Sequence, residues 1–444
     1  METTGFWMLG LVALTLIATG LPAFMALIGV AVLFAAIGVA TGSFGYHLLT
    51  ALPFRVVGLL ENDLLQALPL YVFMGVLLNR LPLADVLFRT GTAMLRRSAA
   101  APLLSALGLG AILAPMNGSV GASVATLSRI VQPRLLQRGV PPAKSLAVVC
   151  VASTLGVVVP PSLVLILLAD AMMRAHTEAI NATGLIARVV NTQDIFHGAL
   201  VPAALFLAFC CLLGWRIGGR DARAIEPPKV TGSERLVSAV TVVFIVGLLA
   251  GVTAGYLYAV EAAAAGAVAL VLFGILTRTL RVEILAAALR DTMAVTGALF
   301  ALLVAATSFT LVFRAFETDR VLAALISGLP GGGATAVIAV LLLIGLCAFV
   351  LDAFEIIFVI VPLVMPPLLT RASDAVWVSV LTLLALQASF LIPPVGYAVM
   401  MARTAMVQPV PTAALARSLL PFLGVQLLVL ALTVAFPSLT HLLP

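Results

Sequence analysis

The sequence predicts an all-α polytopic membrane protein built as two inverted repeats, each holding a re-entrant helical hairpin and a proline-broken helix. Three observations predict it. Of 444 residues, 63% are hydrophobic and 9% charged, and the mean hydropathy is +1.22, so too few charges exist to cover a soluble surface. Two consecutive prolines, Pro160-Pro161, interrupt an apolar run and recur as Pro393-Pro394, 233 residues later. Lysine and arginine gather in alternate segments between the apolar runs.

A membrane-crossing helix needs about 20 apolar residues. Runs of that order occupy 6–20, 22–41, 64–79, 143–176, 195–216, 234–252, 254–276, 292–313, 374–405 and 412–437. The first lacks a basic leader and a small-residue cleavage site, so it reads as a retained helix rather than a signal peptide. Regions 100–132 and 333–368 are each long enough for two short helices, with polar or glycine-containing turns between them, and read as re-entrant hairpins or tightly paired helices. The polar stretch 217–233 reads as a cytoplasmic linker between a first repeat, 1–216, and a second, 234–444. Cys150, Cys210, Cys211 and Cys347 lie in apolar runs without metal-type spacing and read as packing residues.

The interval of 233 residues also carries Ser119 onto Asp352 and Phe73 onto Ala306. Agreement at a constant offset indicates an internal repeat. With 80–97 on the cytoplasmic side, segments 80–97, 129–144, 216–235, 278–290 and 403–417 are also cytoplasmic. They hold 18 of the 24 Lys and Arg residues, a positive-inside bias that makes the repeats inverted. Arg96, Arg97, Arg134 and Arg138 then act as topology determinants. Arg55, Arg174, Arg188, Arg314, Arg320 and Arg371 fall on the other side.

Discontinuous segments in inverted repeats point to a secondary transporter. A proline removes a backbone donor and disfavours helix at the residue before it. Irregular backbone survives at membrane depth only where it lines a protein cavity, so carbonyls freed ahead of Pro160 suit a hard cation. Asn117, Gly118 and Ser119 mark the tip of the first hairpin. Asp352 and Glu355 sit three apart in the second, within an apolar run. An intramembrane carboxylate is expected to be functional, yet Asp is also a favoured N-cap; both readings of Asp352 stand, and they can coexist. Gln387 and Gln66 either face a cavity or bond between helices. Glu261 reads as a structural hydrogen-bonding residue. Ser162, directly after the prolines, joins Glu355, Gln387 and Gln66 as the expected substrate contacts.

At these residues the sequence resembles the large membrane subunit of tripartite ATP-independent periplasmic (TRAP) transporters. The likeness runs from "GLPAFMALIGVAVL" through "NGS" and "STLGVVVPPS" to "LDAFEIIFVIVPLVMPP" and "QASFLIPPVGY". "LLQALPLYVFMGVLL", "LDAFEIIF" and "LQASF" resemble the subgroup called mannitol/chloroaromatic. The resemblance implies a sodium-driven importer of organic carboxylates in a bacterial inner membrane, with scaffold and transport domains working as an elevator. Its implied partners are a periplasmic substrate-binding protein and a small four-helix membrane subunit, for which this chain has no fused counterpart; no nucleic acid is expected. By similarity, one sodium ion sits among Asn117, Gly118, Ser119, Gly156, Val159 and Pro161. The other lies near Asp352, Ile392 and Pro393. The family commonly has Thr where this chain has Ile392, and Gly where it has Ala348, so Ser389 is the candidate for the missing hydroxyl.

A stand-alone ion-coupled carboxylate permease shares this architecture and remains the alternative. A membrane enzyme using Asp352 and Glu355 needs a reactive constellation, and the sequence holds neither HExxH nor GxSxG. A P-loop for ATP is also missing from the sequence.

Overall fold

Helices follow the apolar runs closely in the computed structural model, which describes residues 3–95, 98–117, 119–184, 188–221, 230–406 and 408–442. Gly118, Arg96 and Arg97 therefore lie outside the described residues. Among the described residues the chain is helical, with no strand. Seven of the described helices are long and apolar enough to cross a membrane, or eight if Tyr46–Leu60 and Leu64–Arg80, bent by 55°, form one span. Several leave wide apolar faces uncovered: Val32, Val243 and Leu276 are 64%, 72% and 82% exposed. Faces of this extent on a monomer require a partner or hydrocarbon.

Both predicted breaks are present. The first separates Pro142–Val158 from Leu163–Thr183, and the second separates Ala375–Leu391 from Tyr397–Thr404. Pro160-Pro161 and Pro393-Pro394 are both cis. The first hairpin comprises Ala101–Leu113, a short turn at Pro115–Asn117 and Val120–Ile130; the second comprises Gly332–Cys347 and a returning arm over Ala353–Leu369.

Some elements differ from expectation. The helix expected over 292–313 runs from Val282 to Ala315, 34 residues. Its charged first turns remain helical because the helix extends beyond its apolar stretch, and Asp291 there pairs with Arg80. Leu83–Met94 and Thr318–Ser327 are short helices outside the expected spans, since each is amphipathic and too short to cross. The helix Thr192–Asp221 enters the expected linker. The next helix starts at Gly232, where Thr231 and Glu234 form a reciprocal capping box. The interval between these helices is therefore 222–231 rather than 217–233, and residues 222–229 lie outside the described set.

The chain divides into two compact units, each drawing on both sequence halves. The first holds Met1–Gln66, Leu167–Thr192 and Ala294–Thr382; the second holds Ala67–Ile166, Gln193–Met293 and Leu383–Pro444. In the first, Phe44 meets Phe316 edge to face at 5.2 Å. The Gly5 amide donates to Thr318 Oγ1 at 3.0 Å. Arg371 donates to the carbonyls of Ile326 and Leu329 at 2.6 and 3.0 Å, beside the base of the second hairpin.

In the second unit the first hairpin lies on the helix Pro142–Val158, and glycines set the spacing. A Cβ at Gly110 would stand 2.3 Å from the Ala152 carbonyl oxygen, and one at Gly156 would stand 2.4 Å from that of Ala114. No side chain fits either place.

Candidate functional site

The first break frees carbonyls in an order the sequence dictates. In a continuous helix, the amides of residues 160 and 161 would bond the carbonyls of Gly156 and Val157. Prolines at both positions remove those donors. The Val157 carbonyl is recovered by Ser162 Oγ at 3.0 Å, and Ser162 in turn accepts from the Leu165 amide at 3.1 Å. Ser162 thus caps the second half of the helix, and its hydroxyl is engaged both ways. The Gly156 carbonyl receives no hydrogen bond among the described residues. Val159, forced from helical geometry by the proline after it, ends the helix at φ −78°, ψ 114°.

The hairpin tip brings side-chain oxygen to this unit. Asn117 is buried, and its Nδ2 donates to Ser123 Oγ at 3.0 Å. Its Oδ1 is buried and takes no hydrogen bond among the described residues. Gly75 holds the tip in place, since a Cβ there would lie 2.5 Å from the Met116 carbonyl oxygen and 2.7 Å from Asn117 Cα. Ser119 caps Val120–Ile130 by accepting from the Ala122 amide at 3.1 Å. A cavity of about 10 Å³ lies against Ser119, Ser153 and Gly156, room for one water-sized sphere.

The second break follows the same logic at Ser389 and Phe390, whose helical donors Pro393 and Pro394 replace. Ile392 N–H donates to the Ser389 carbonyl at 3.3 Å, and Gly396 N–H closes on the Ile392 carbonyl at 2.8 Å. Gly396 is required here, because its Cβ would meet the Phe390 carbonyl oxygen at 2.5 Å. The Ser389 hydroxyl donates to Leu386 at 2.6 Å within its own helix. Gln387 is fully buried. Its Nε2 donates to the Thr154 carbonyl at 3.3 Å, while its Oε1 has no partner among the described residues.

At the turn of the second hairpin, Asp352 Oδ1 accepts from the amides of Phe354 and Glu355 at 2.8 and 3.0 Å, and Glu355 Oε2 accepts from the Asp352 amide at 2.9 Å. This is a full capping box, so both carboxylates hold local structure. Asp352 Oδ2 takes no hydrogen bond among the described residues. Gln66 is exposed and lines none of these cavities.

Reasoning along the sequence missed a charged cavity of about 410 Å³ in the first unit, lined by Arg55, Asp170, Arg174, Glu178, Thr307 and Arg314 among others. Its residues come from four distant segments and carry no motif. The i, i+4 spacing of Asp170 and Arg174 was the one available signal.

The family described as "Tripartite ATP-independent periplasmic transporter, DctM component" matches residues 10–439. The chain belongs to this family. It is therefore a large subunit of a TRAP transporter, a multi-pass membrane protein and a transport component rather than an enzyme. It is similar to the C4-dicarboxylate TRAP transporter large permease protein DctM of Pseudomonas aeruginosa, 23% identical over 86% of this chain and 87% of that one. The ectoine TRAP transporter large permease protein TeaC of Halomonas elongata is 22% identical, covering 84% of each. The isethionate TRAP transporter permease protein DctMQ of Oleidesulfovibrio alaskensis is 23% identical over 90% of this chain and 60% of that one. Among solved structures, the YdaH transporter of Alcanivorax borkumensis shares the fold, with a TM-score of 0.60, 17% identity and 88% of both chains covered.

Of the residues predicted for this TRAP subunit, the second unit contains Asn117, Ser119, Gly156, Val159, Pro161, Ser162, Gln387, Ser389, Ile392 and Pro393. The first contains Gln66, Asp352 and Glu355.

Proposed function

We propose that this TRAP large subunit drives import of organic carboxylates with sodium ions, working as an elevator in a bacterial inner membrane. It is paired with a small membrane subunit and fed by a periplasmic binding protein. The observation that carries the sodium reading is the oxygen set at the first break. Asn117 Oδ1 is buried without a donor among the described residues, the Gly156 carbonyl has lost its donor to Pro160, and a cavity of about 10 Å³ lies against Gly156 and Ser119. Neutral side-chain and carbonyl oxygens are the ligands a hard monovalent cation takes, by the same preference that governs calcium and magnesium. These residues fit sodium, with Val159 and Pro161 contributing backbone.

A sodium role is proposed for Asp352 Oδ2 in the first unit and, separately, for Ser389, Ile392 and Pro393 in the second, and a substrate role for Glu355 in the first unit and for Gln387 in the second. The hydroxyl of Ser162 is committed to its cap, and the exposure of Gln66 sets it apart from the proposed contacts. The carboxylate class draws support from the relative named for C4-dicarboxylates. Tripartite assembly draws support from the family description. The constant offset of 233 residues supports the inverted repeats 1–216 and 234–444, and the charge bias places the interval between them in the cytoplasm.

The test is uptake of radiolabelled succinate into proteoliposomes holding this chain with its small subunit, with binding protein outside. Uptake is expected only with inward sodium and liganded binding protein. Equal uptake with sodium replaced by potassium would remove sodium coupling. Robust uptake by the chain alone would favour a stand-alone permease.

A further inference from the structure

The charged cavity of the first unit combines three guanidinium groups with two carboxylates, a net charge of +1. Two of the three guanidiniums are occupied. Arg174 meets Asp170 one turn earlier on the same helix, at 3.0 and 3.1 Å, and Asn62 Nδ2 donates to the other Asp170 oxygen at 3.3 Å. Arg314 grips Glu178 as a fork, with contacts of 2.9 and 3.0 Å. It also takes the Pro362 carbonyl at 3.1 Å, an acceptor released because Pro366, four residues on, has no amide to give it. Both pairs are fixed and neutral.

Arg55 carries the remaining charge. It makes no hydrogen bond or ion pair among the described residues, although the carboxylates of Asp170 and Glu178 line the same cavity. Thr307 also lines this cavity, and its hydroxyl has no partner among the described residues. The rest of the wall is largely apolar, with Leu59, Leu303 and Phe358. A cavity of about 410 Å³ lies in the range of small-molecule sites, which pair apolar walls with a few placed polar groups. A guanidinium with open donors is the side chain best shaped to receive a planar oxyanion.

We propose that this cavity is a binding site for one small organic anion, a carboxylate or sulfonate, received by Arg55 with Thr307 as a hydroxyl donor. None of the residues assigned to the two helix breaks lines it, so it is an additional site. The two neutral pairs hold its walls, and Arg55 alone supplies the net attraction. The site binds the anion without sodium, because every ligand it offers is already in place.

The experiment uses the full chain in phosphatidylcholine nanodiscs, with Cys211 and Cys347 changed to Ala and Thr307→Cys as a reporter labelled by a maleimide. Succinate and isethionate are the probes, and a neutral diol is the control. Either anion should slow labelling in sodium-free buffer, and the diol should not. Arg55→Gln should raise the half-protecting concentration about tenfold, the effect of losing one charge-assisted hydrogen bond, while Arg55→Lys retains part of the protection. A reporter at Ala306, which lines the same cavity, repeats the measurement if Thr307→Cys itself weakens binding. Labelling unaffected by either anion at both reporters overturns the site, as does protection indifferent to Arg55→Gln. Nanodiscs of phosphatidylglycerol separate a lipid phosphate from a soluble anion. Labelling that is already slow there, and unresponsive to succinate, would make the occupant a headgroup and refute the proposal. Sodium-driven uptake without protection removes this site and leaves the transport reading standing. Protection without sodium-driven uptake does the reverse.

Discussion

Gln387 donates to the carbonyl of Thr154 at 3.3 Å, and the two residues are 233 positions apart, the interval that also separates Pro160 from Pro393. A residue that touches its own counterpart lies close to the axis relating two copies of a repeat. The contact joins two positions that the proposed repeat makes equivalent. It also leaves Gln387 Oε1 buried and open, in the same unit as the equally open Asn117 Oδ1.

Gln387→Met tests what that open acceptor does. Losing one interhelical hydrogen bond in a membrane protein costs about 0.6 kcal/mol, so thermal unfolding in detergent should shift little. Uptake should fall sharply, with a raised substrate requirement and an unchanged sodium requirement. Normal uptake would reduce Gln387 to a bond between helices.

The close approach at Gly156 gives a stability prediction. Gly156→Ala drives a methyl into the Ala114 carbonyl oxygen, which neighbouring backbone must yield to, and overpacking of this kind costs about 1–3 kcal/mol. Gly247, on an exposed helix face where an added methyl would meet nothing within 4 Å, is the control. Gly247→Ala should be neutral or stabilising by up to about 1 kcal/mol, through reduced backbone freedom in the unfolded chain. Equal melting of the two variants would contradict the packing described for the first hairpin.

The proposed cation sites are separable. Asn117→Ala removes the orphaned acceptor and should raise the sodium concentration for half-maximal uptake about tenfold, a coupling loss near 1.4 kcal/mol. Asp352→Asn keeps an N-cap of equal quality while deleting the charge, so it should fold normally and also need more sodium. Asp352→Ala loses about 1 kcal/mol of capping besides. If Asp352→Asn transports with unaltered sodium dependence, Asp352 is a cap and nothing more.

Orientation is checked by labelling from outside intact cells. A cysteine at Ala182 should react with an impermeant maleimide and one at Ala224 should not. The opposite pattern reverses the topology and the inverted repeats inferred from it.

The sequence by itself determined the helices, their breaks and the membrane environment. These follow from properties local in the chain: apolar length, missing proline donors and the short reach of caps. The hairpin tips at Asn117 and Asp352 were legible for the same reason. Local spacing alone left the role of Asp352 open between cap and ligand, and the structure shows the cap in full. It did not reveal that Ser162 spends its hydroxyl on Val157 and Leu165, since hydrogen-bond partners depend on how the chain turns after the prolines. Only tertiary structure placed Gln387 against Thr154 and gathered Arg55, Asp170, Glu178, Thr307 and Arg314 around one cavity. Such groupings join segments more than 100 residues apart, and no periodicity encodes them: they depend on which helix faces pack together, which close approaches such as Gly156 on Ala114 decide.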